Sequence, residues 1–284
     1  MKKLIIIFSL MLLLTTGSSS AVEIRLPLLS DYESQHQYKL GLLKLVLEKA
    51  GVEADIQFAA SKTPQSRVIE QLMHGDEINL SWMGTSAELE QKLLPIRFPV
   101  YRGLLGHRVF VIHKDEQVKF DRVHKLSDLQ QYQGGQGLGW SDTKILQHSG
   151  LKQRQASYDN LFKMINSGNR LDYFSRGVIE AFKEVDNRKY TLPNLVVEEK
   201  ILLIYPFALF FFTNPSNTEL AETLEDGFRK AYADGSFHDY FYNHPEIKIA
   251  IEQANMNQRV RIEIPNPSLS AETNAIPARY WHGR

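Results

Sequence analysis

The sequence predicts an α/β protein built as two lobes, each a sheet flanked by helices, and three observations carry that prediction. Short apolar runs of strand type alternate with stretches in which apolar residues recur at helical spacing. The alternation breaks near residue 113 and restarts near residue 126. No low-complexity linker and no repeat of fixed period divides the halves, as expected for two lobes joined by shared strands. Strand, helix, strand order at this spacing calls for right-handed crossovers and a mostly parallel sheet.

The elements follow in order. A strand is expected over 22–29, then a helix over 38–50 whose Leu40, Leu43, Val46, Leu47 and Ala50 form one stripe and whose end is marked by Gly51. A second strand over 52–58 leads to Thr63 as N-cap and Pro64 at the first helical position, with the helix running to His74 and Gly75. A strand over 78–82, a helix over 86–94 and a branched-residue strand over 104–113 complete the first series. In the second, Leu126, Ser127, Asp128 and Leu129 form a staple and cap that open a helix. A strand over 137–140, a helix over 142–148 ended by Gly150, a strand over 152–156, a helix over 158–165 and a strand over 171–174 come next. The apolar run 201–212 is a buried strand, too short to span a membrane and interrupted by Pro206. Thr218 then caps a helix carrying Leu220, Leu224, Phe228 and Ala231, with Gly235 just past its end.

Composition bounds the function classes. The chain has 284 residues, 43% of them hydrophobic, 33 basic against 33 acidic side chains, and no cysteine. Disulfide scaffolds, thiolate zinc sites, iron–sulfur clusters and cysteine nucleophiles are excluded. A formal charge of zero provides no basic field for nucleic acid. Lys2 and Lys3 precede an apolar stretch over 4–14 and a small, polar segment ending at Ala21, the pattern of a secretory signal peptide cleaved after Ala21. At about 1.5 Å per residue that stretch covers about half of a bilayer core of about 30 Å, too little for an anchor. Without the two lysines the mature chain carries 31 basic and 33 acidic groups, a net charge of −2. A lipid-tethered exported protein needs a cysteine beside its signal, so the expectation is an untethered protein of a Gram-negative periplasm.

Several blocks, in their order and spacing, resemble the bacterial family-3 extracellular solute-binding proteins: 43–51 (LKLVLEKAG), 98–101 (FPVY), 126–129 (LSDL), 139–143 (GWSDT), 171–176 (LDYFSR), and 205–213 (YPFALFFFT) followed by 219–235, which ends in Ala233, Asp234 and Gly235. The resemblance implies the two-lobed type II periplasmic binding protein fold. One lobe would comprise 22–112 plus 207–284, the other 113–206, with two hinge strands between them. It also implies a monomer that closes on a small-molecule solute without a cofactor and passes it to the membrane permease of an ABC transporter.

In open α/β sheets ligands sit beyond the carboxyl ends of the strands. Here those ends are Ser30 to Tyr32, Trp82 to Ser86, Trp140 to Thr143, and Asp172 to Arg176. Three aromatic faces (Tyr32, Trp82, Trp140), hydroxyls and an arginine fork suit a small polar solute with an anionic group. By the resemblance, Tyr32 lies against the ligand, Gly84 and Ser86 offer main-chain and hydroxyl contacts, and Asp142 with Thr143 opens the helix of the second lobe. In the family's amino-acid binders an arginine shortly after the serine clamps the ligand carboxylate; here Gln91 and Lys92 stand there and the nearest arginine is Arg97. The acidic residue that takes the ligand's amino group should lie at the end of the Asp172 segment, where this chain has Arg176 and Gly177. A guanidinium in place of an acceptor argues against an ordinary α-amino acid, or for a different binding pose.

Each candidate also has a plainer role. Trp82 and Trp140 are core aromatics or ligand contacts, Asp142 an N-cap or a ligand acceptor, and Arg176 a ligand contact or a surface partner of Glu180. Arg97 and Arg102 flank the FPVY block, and Arg108 belongs in an internal ion pair. Among enzyme motifs, G-x-S-x-G is absent; Ser141 and Lys144 fit S-x-x-K, but its companions S-D-N and K-T-G are missing. Glycines 134, 135, 137 and 139 lead from a helix into a strand, the reverse of a phosphate-binding loop, and read as a turn. The nine histidines form no H-x-H or H-x-x-x-H pair, and His107 and His113 would stand about 20 Å apart along one strand, so no metal is expected. The expected function is solute capture without chemistry. The alternatives are a periplasmic partner of a membrane sensor kinase or cyclase, and an enzyme on the same fold such as a dehydratase.

Overall fold

The computed structural model describes residues 21–28 and 36–283. Residues 1–20 of the proposed signal peptide, and Ser30, Asp31 and Tyr32, lie outside the described residues.

Two groups of sheets organise the chain. In the first, β1 (Val22–Leu28) and β2 (Ala54–Lys62) pair in parallel, joined by α1 (Gln37–Ala50). The helix buries Tyr38, Leu42, Leu43, Val46 and Leu47 and ends at Gly51, whose φ of 77° lets its N–H reach the carbonyls of Leu47 and Glu48. After α2 (Gln65–His74) come β3 (Leu80–Gly84), α3 (Ala87–Lys92) and β4 (Leu94–Ile96).

The second group begins with β5 (His107–His113) and two single-turn helices, α4 (Gln117–Phe120) and α5 (Leu126–Leu129). It continues through β6 (Gln133–Gly137), α6 (Asp142–His148), β7 (Lys152–Ala156), α7 (Tyr158–Asn166), β8 (Tyr173–Gly177), α8 (Val178–Asp186), β9 (Leu195–Val197) and β10 (Ile201–Ile204). The chain then returns to the first group with β11 (Leu209–Thr213), which lies between β3 and β4, and α9 (Thr218–Ala233). There α9 packs on α1 so closely that a Cβ on Gly227 would stand 2.0 Å from the Val46 carbonyl oxygen; only glycine permits this crossing. The C-terminal part holds α10 (Ser236–Asn243), α11 (Pro245–Ala254), β12 (Val260–Glu263) and α12 (Ala271–Asn274).

The larger sheet runs β12, β10, β5, β8, β6, β7, with β9 also on β5. The strand-helix-strand units β1-α1-β2 and β6-α6-β7 are parallel, as the crossover argument requires. The strands β5 and β11 are antiparallel to every strand with which they pair, so the larger sheet is mixed and the three-stranded sheet antiparallel, where a mostly parallel sheet was expected. Along β11 the two-residue period splits the core. Phe210 and Phe212 join Val68, Leu72 and Met83 on one face, while Leu209 and Phe211 join the main core on the other.

Several elements depart from the expectations. The 201–212 run is two strands in different sheets, because Pro206 has no N–H to donate and the chain crosses between groups there. Of the glycine run only Gly139, at φ 74°, stands in a turn; Gly134, Gly135 and Gly137 lie in β6, where a Cβ on Gly134 would meet Gln153 and Tyr173 at 2.6 Å and one on Gly135 would meet Leu171 at 2.7 Å. Residues 104–106 form a 3-10 turn after Gly103, at φ 81°, so the strand starts only at His107. The Thr63 hydroxyl bonds the Ser61 carbonyl rather than capping, and an extended Pro64 precedes α2. Asn217, not Thr218, caps α9 by accepting from the Leu220 N–H at 3.3 Å. Asp128 accepts the N–H groups of His124 and Lys125, which closes α5 into a single turn.

Candidate functional site

A cleft of about 820 Å³ lies between the two groups of sheets. One wall carries Trp82 and Gly84 at the end of β3, Lys39 of α1, and Tyr101. The other carries Trp140, Asp142, Tyr158, Arg176 and, from α8, Glu180 and Glu184. Arg108 and Phe207 stand where the chain crosses between the groups.

The buried polar centre of the cleft is built on Asp142. Arg108, only 2% exposed, donates to its carboxylate through Nη2, and the Tyr205 hydroxyl donates to the same oxygen at 3.0 Å. That hydroxyl in turn accepts from Arg108 Nε at 2.6 Å, and Gln136 adds a weaker bond to Asp142 at 3.4 Å. Burial pushes the Tyr205 hydroxyl well above its ordinary pKa, with Arg108 acting against it and Asp142 with it. Asp142 is therefore neither N-cap nor open acceptor; it is the counter-ion of Arg108, placed in the first turn of α6 where the helix dipole favours a carboxylate. Arg108 Nη1 has no hydrogen-bond partner among the described residues and stands 3.6 Å from Glu180.

Arg176 makes a second buried pair. Its Nε and Nη2 each lie 2.7 Å from Glu184, and Nη2 lies 3.1 Å from Glu180. The pairing with Glu180 joins a buried guanidinium to a half-buried carboxylate at the cleft wall rather than two surface groups. Burial disfavours both charges, but Glu180 and Glu184 hold Arg176 strongly protonated, and Arg176 holds Glu184 below the usual glutamate range. The guanidinium lies over Trp140 at 4.7 Å, and Tyr158 donates to Glu184 at 2.6 Å. Trp140 rests on the backbone of β6, since a Cβ on Gly137 would stand 2.2 Å from its ring, and it stacks on Phe174 at 5.9 Å. It is thus both a core aromatic and cleft wall.

On the facing wall, Trp82 packs edge-on to Phe211 at 6.1 Å. Lys39 Nζ sits 5.6 Å from the Trp82 ring centroid and donates to the Tyr101 hydroxyl at 3.3 Å. Burial lowers the Lys39 pKa, opposed by Glu180, Glu246 and Glu184. Polar contacts join the walls across the mouth, among them the Ser141 hydroxyl to the Gly84 carbonyl at 2.9 Å, Lys62 to Asp159 at 2.6 Å, Lys144 to Glu88 at 2.5 Å, and Gln65 Nε2 to the Gly139 carbonyl at 3.5 Å. The conformation is closed.

Of the ten predicted site residues, Trp82, Gly84, Trp140, Asp142 and Arg176 line this cleft, and Tyr32 lies outside the described residues. Four stand away from its walls. Ser86 spends its hydroxyl on capping α3 through the Leu89 N–H. Arg97 pairs with Glu90, which also ties Thr85, Ser270 and Thr273. Thr143 is buried behind the wall, and its hydroxyl makes no hydrogen bond among the described residues. Asp172 anchors the sheet by accepting from the Gln133 N–H at 2.7 Å and from Lys119.

Sequence reasoning missed Tyr205, Glu184, Lys39 and Glu246. The interval of four from Arg176 to Glu180 suggested a helical surface pair, but it was not extended to Glu184; in the structure Arg176 lies in β8 and both glutamates stand on α8, which folds back over it.

No known family model matches the sequence, and no characterised protein matches it by sequence. Solved structures do match its fold. An ancestral arginine-binding protein bound to glutamine superposes with a TM-score of 0.61 and 16% identity, over 80% of this chain and 99% of that one. A Salmonella typhimurium periplasmic binding protein of high arginine specificity matches with a TM-score of 0.57 and 17% identity, over 82% of this chain and 99% of that one. An amino acid ABC transporter substrate-binding protein from Streptococcus pneumoniae, bound to L-arginine, matches with a TM-score of 0.57 and 16% identity, over 81% of this chain and 96% of that one. At such identities the likeness is one of fold: the chain has the two-lobed architecture of these periplasmic binding proteins.

Proposed function

We propose that the chain is a periplasmic solute-binding protein that captures a small polar molecule by closing two lobes and delivers it, as a monomer and without chemistry, to the membrane permease of an ABC importer. The proposed lobes are 22–112 plus 207–284 and 113–206, hinged where β5 and the 204–208 segment cross. The observation that carries the reading is the closed cleft itself, with aromatic walls and charged groups inside and polar contacts across its mouth. A ligand drives such closure only by binding the closed state better than the open one. Trp82, Gly84, Trp140 and Arg176 are the proposed contacts among the expected residues; Arg176 offers the flat face of a stacked guanidinium rather than a free charge. Both cleft arginines already have carboxylate partners, so an anionic ligand held by an arginine clamp is not favoured.

The test is a thermal-shift panel of small metabolites on the chain after unfolding and refolding to strip copurified molecules, with mass spectrometry of the extract. A ligand recovered unchanged that raises the melting point supports solute binding. Turnover of that ligand would replace it with an enzyme on the same fold. No stabilisation by any compound would remove the reading.

A further inference from the structure

We propose that Glu246, on the C-terminal helix α11, is a ligand-contacting carboxylate that selects solutes carrying a protonated amine or a guanidinium. The inference rests on the solute-binding reading and adds to it a side wall that the central sheets do not supply. Pro245, Glu246, Ile249, Ala250 and Gln253 of α11 all line the cleft, at the spacing of one helix face. The helix packs on α8, whose Ile179, Phe182 and Lys183 line the same space, so α8 and α11 form one continuous wall.

Within that wall, Glu246 Oε1 is buried and accepts no hydrogen bond from the described residues. An acceptor removed from water without a donor is unfavourable, and a ligand N–H would satisfy it. Burial raises the carboxyl's pKa, while Lys39 and Lys183 act the other way from a distance. Neither lysine donates to Oε1, and Lys39 donates to Tyr101 instead. The two arginines of the cleft centre are paired with carboxylates within the protein, Arg108 with Asp142 and Arg176 with Glu184 and Glu180, although Arg108 Nη1 makes no hydrogen bond among the described residues. A cationic ligand group therefore meets, on the cleft wall, a carboxylate that lacks a hydrogen-bond donor among the described residues, whereas an anionic one would face Glu246 with both arginines already paired to carboxylates.

The experiment compares the full chain with Glu246→Gln, which keeps the shape and removes the charge. The probes are L-arginine and putrescine as cations, L-glutamine as a neutral solute, and L-glutamate and succinate as anions, followed by calorimetry and thermal shift. We expect the cations to bind best, and Glu246→Gln to weaken them at least tenfold while changing glutamine by no more than about twofold. Its unfolding midpoint should be unchanged or raised, since the buried carboxylate gives the apo protein nothing. Equal loss for all probes, a lowered midpoint or preferential binding of the anions would overturn the role of Glu246 and leave solute binding standing. Failure of every probe, together with failure of the wider metabolite panel, would overturn both.

Discussion

Ser141 donates its hydroxyl hydrogen to the main-chain oxygen of Gly84 across the mouth of the cleft, at 2.9 Å. Gly84 ends β3 and Ser141 precedes α6, so the two come from different groups of sheets and meet only when the walls are together. The bond is local to the closed state, and its neighbours Lys62–Asp159 and Lys144–Glu88 are exposed pairs of small individual worth.

Removing the hydroxyl should therefore act on closure rather than on folding. Ser141→Ala is expected to speed ligand release about two- to tenfold, the equivalent of about 0.5–1.5 kcal/mol for one hydrogen bond. The melting point of the ligand-free protein should hardly move. Stopped-flow release of a bound ligand measures the first and thermal unfolding the second; an unchanged release rate would remove Ser141 from the closure contacts.

The Arg176–Glu184 pair should behave as a buried ion pair. Arg176→Ala leaves Glu184 buried without its partner and is expected to cost about 3–5 kcal/mol of stability. The double change Arg176→Met with Glu184→Leu removes both charges and should recover most of that loss. Denaturant unfolding of the three proteins decides the matter, and a double variant as unstable as the single one would contradict the pairing.

Acid should expose the same pair. Glu184 has a folded pKa below its unfolded one, because Arg176 outweighs burial, so it binds fewer protons folded than unfolded. Its contribution is complete above the ordinary glutamate value of about 4.3 and is lost as pH falls through the lower folded value. Below about pH 4 the wild type should lose stability more steeply than the Arg176→Met, Glu184→Leu variant. Unfolding curves from pH 6 to pH 3 that run parallel would count against it.

Gly84 is needed for its size. A Cβ there would lie 2.2 Å from Cζ of Phe207, whose ring also lines the cleft. Gly84→Ala is expected to push that ring into the binding space, costing about 1–3 kcal/mol of stability. Ligand affinity should fall with it, as read by calorimetry. Full affinity in a stable variant would mean that the ring has room to move elsewhere.

The legible part of the fold was the part written in local patterns. The helix expected over 142–148 and the strand over 152–156 coincide with α6 and β7, because an acidic start, a helical stripe and a terminal glycine act within a few residues. Gly51 and Gly235 mark helix boundaries as expected, both at positive φ. The glycine run of β6 was misread because its cause is nonlocal: the side chains of Gln153, Tyr173, Leu171 and Leu161 occupy the places its own side chains would take.

The candidate site divides the same way. Strand ends rich in aromatic and hydroxyl residues pointed to Trp82, Gly84 and Trp140, but charge alone could not say which arginine was committed. Arg108 and Asp142 are 34 residues apart, and Tyr205 is 63 from Asp142. Arg97, nearest in sequence to the family's clamp position, is drawn off to Glu90. By itself the sequence determined the alternation of strands and helices, the two-lobed plan and the aromatic rims, since backbone period and capping are properties of neighbouring residues. The tertiary structure decided which charges cancel, that α11 closes the side of the cleft and that a buried Glu246 oxygen there lacks a donor among the described residues, because a buried charge takes its partner from whatever the fold brings within a few ångströms.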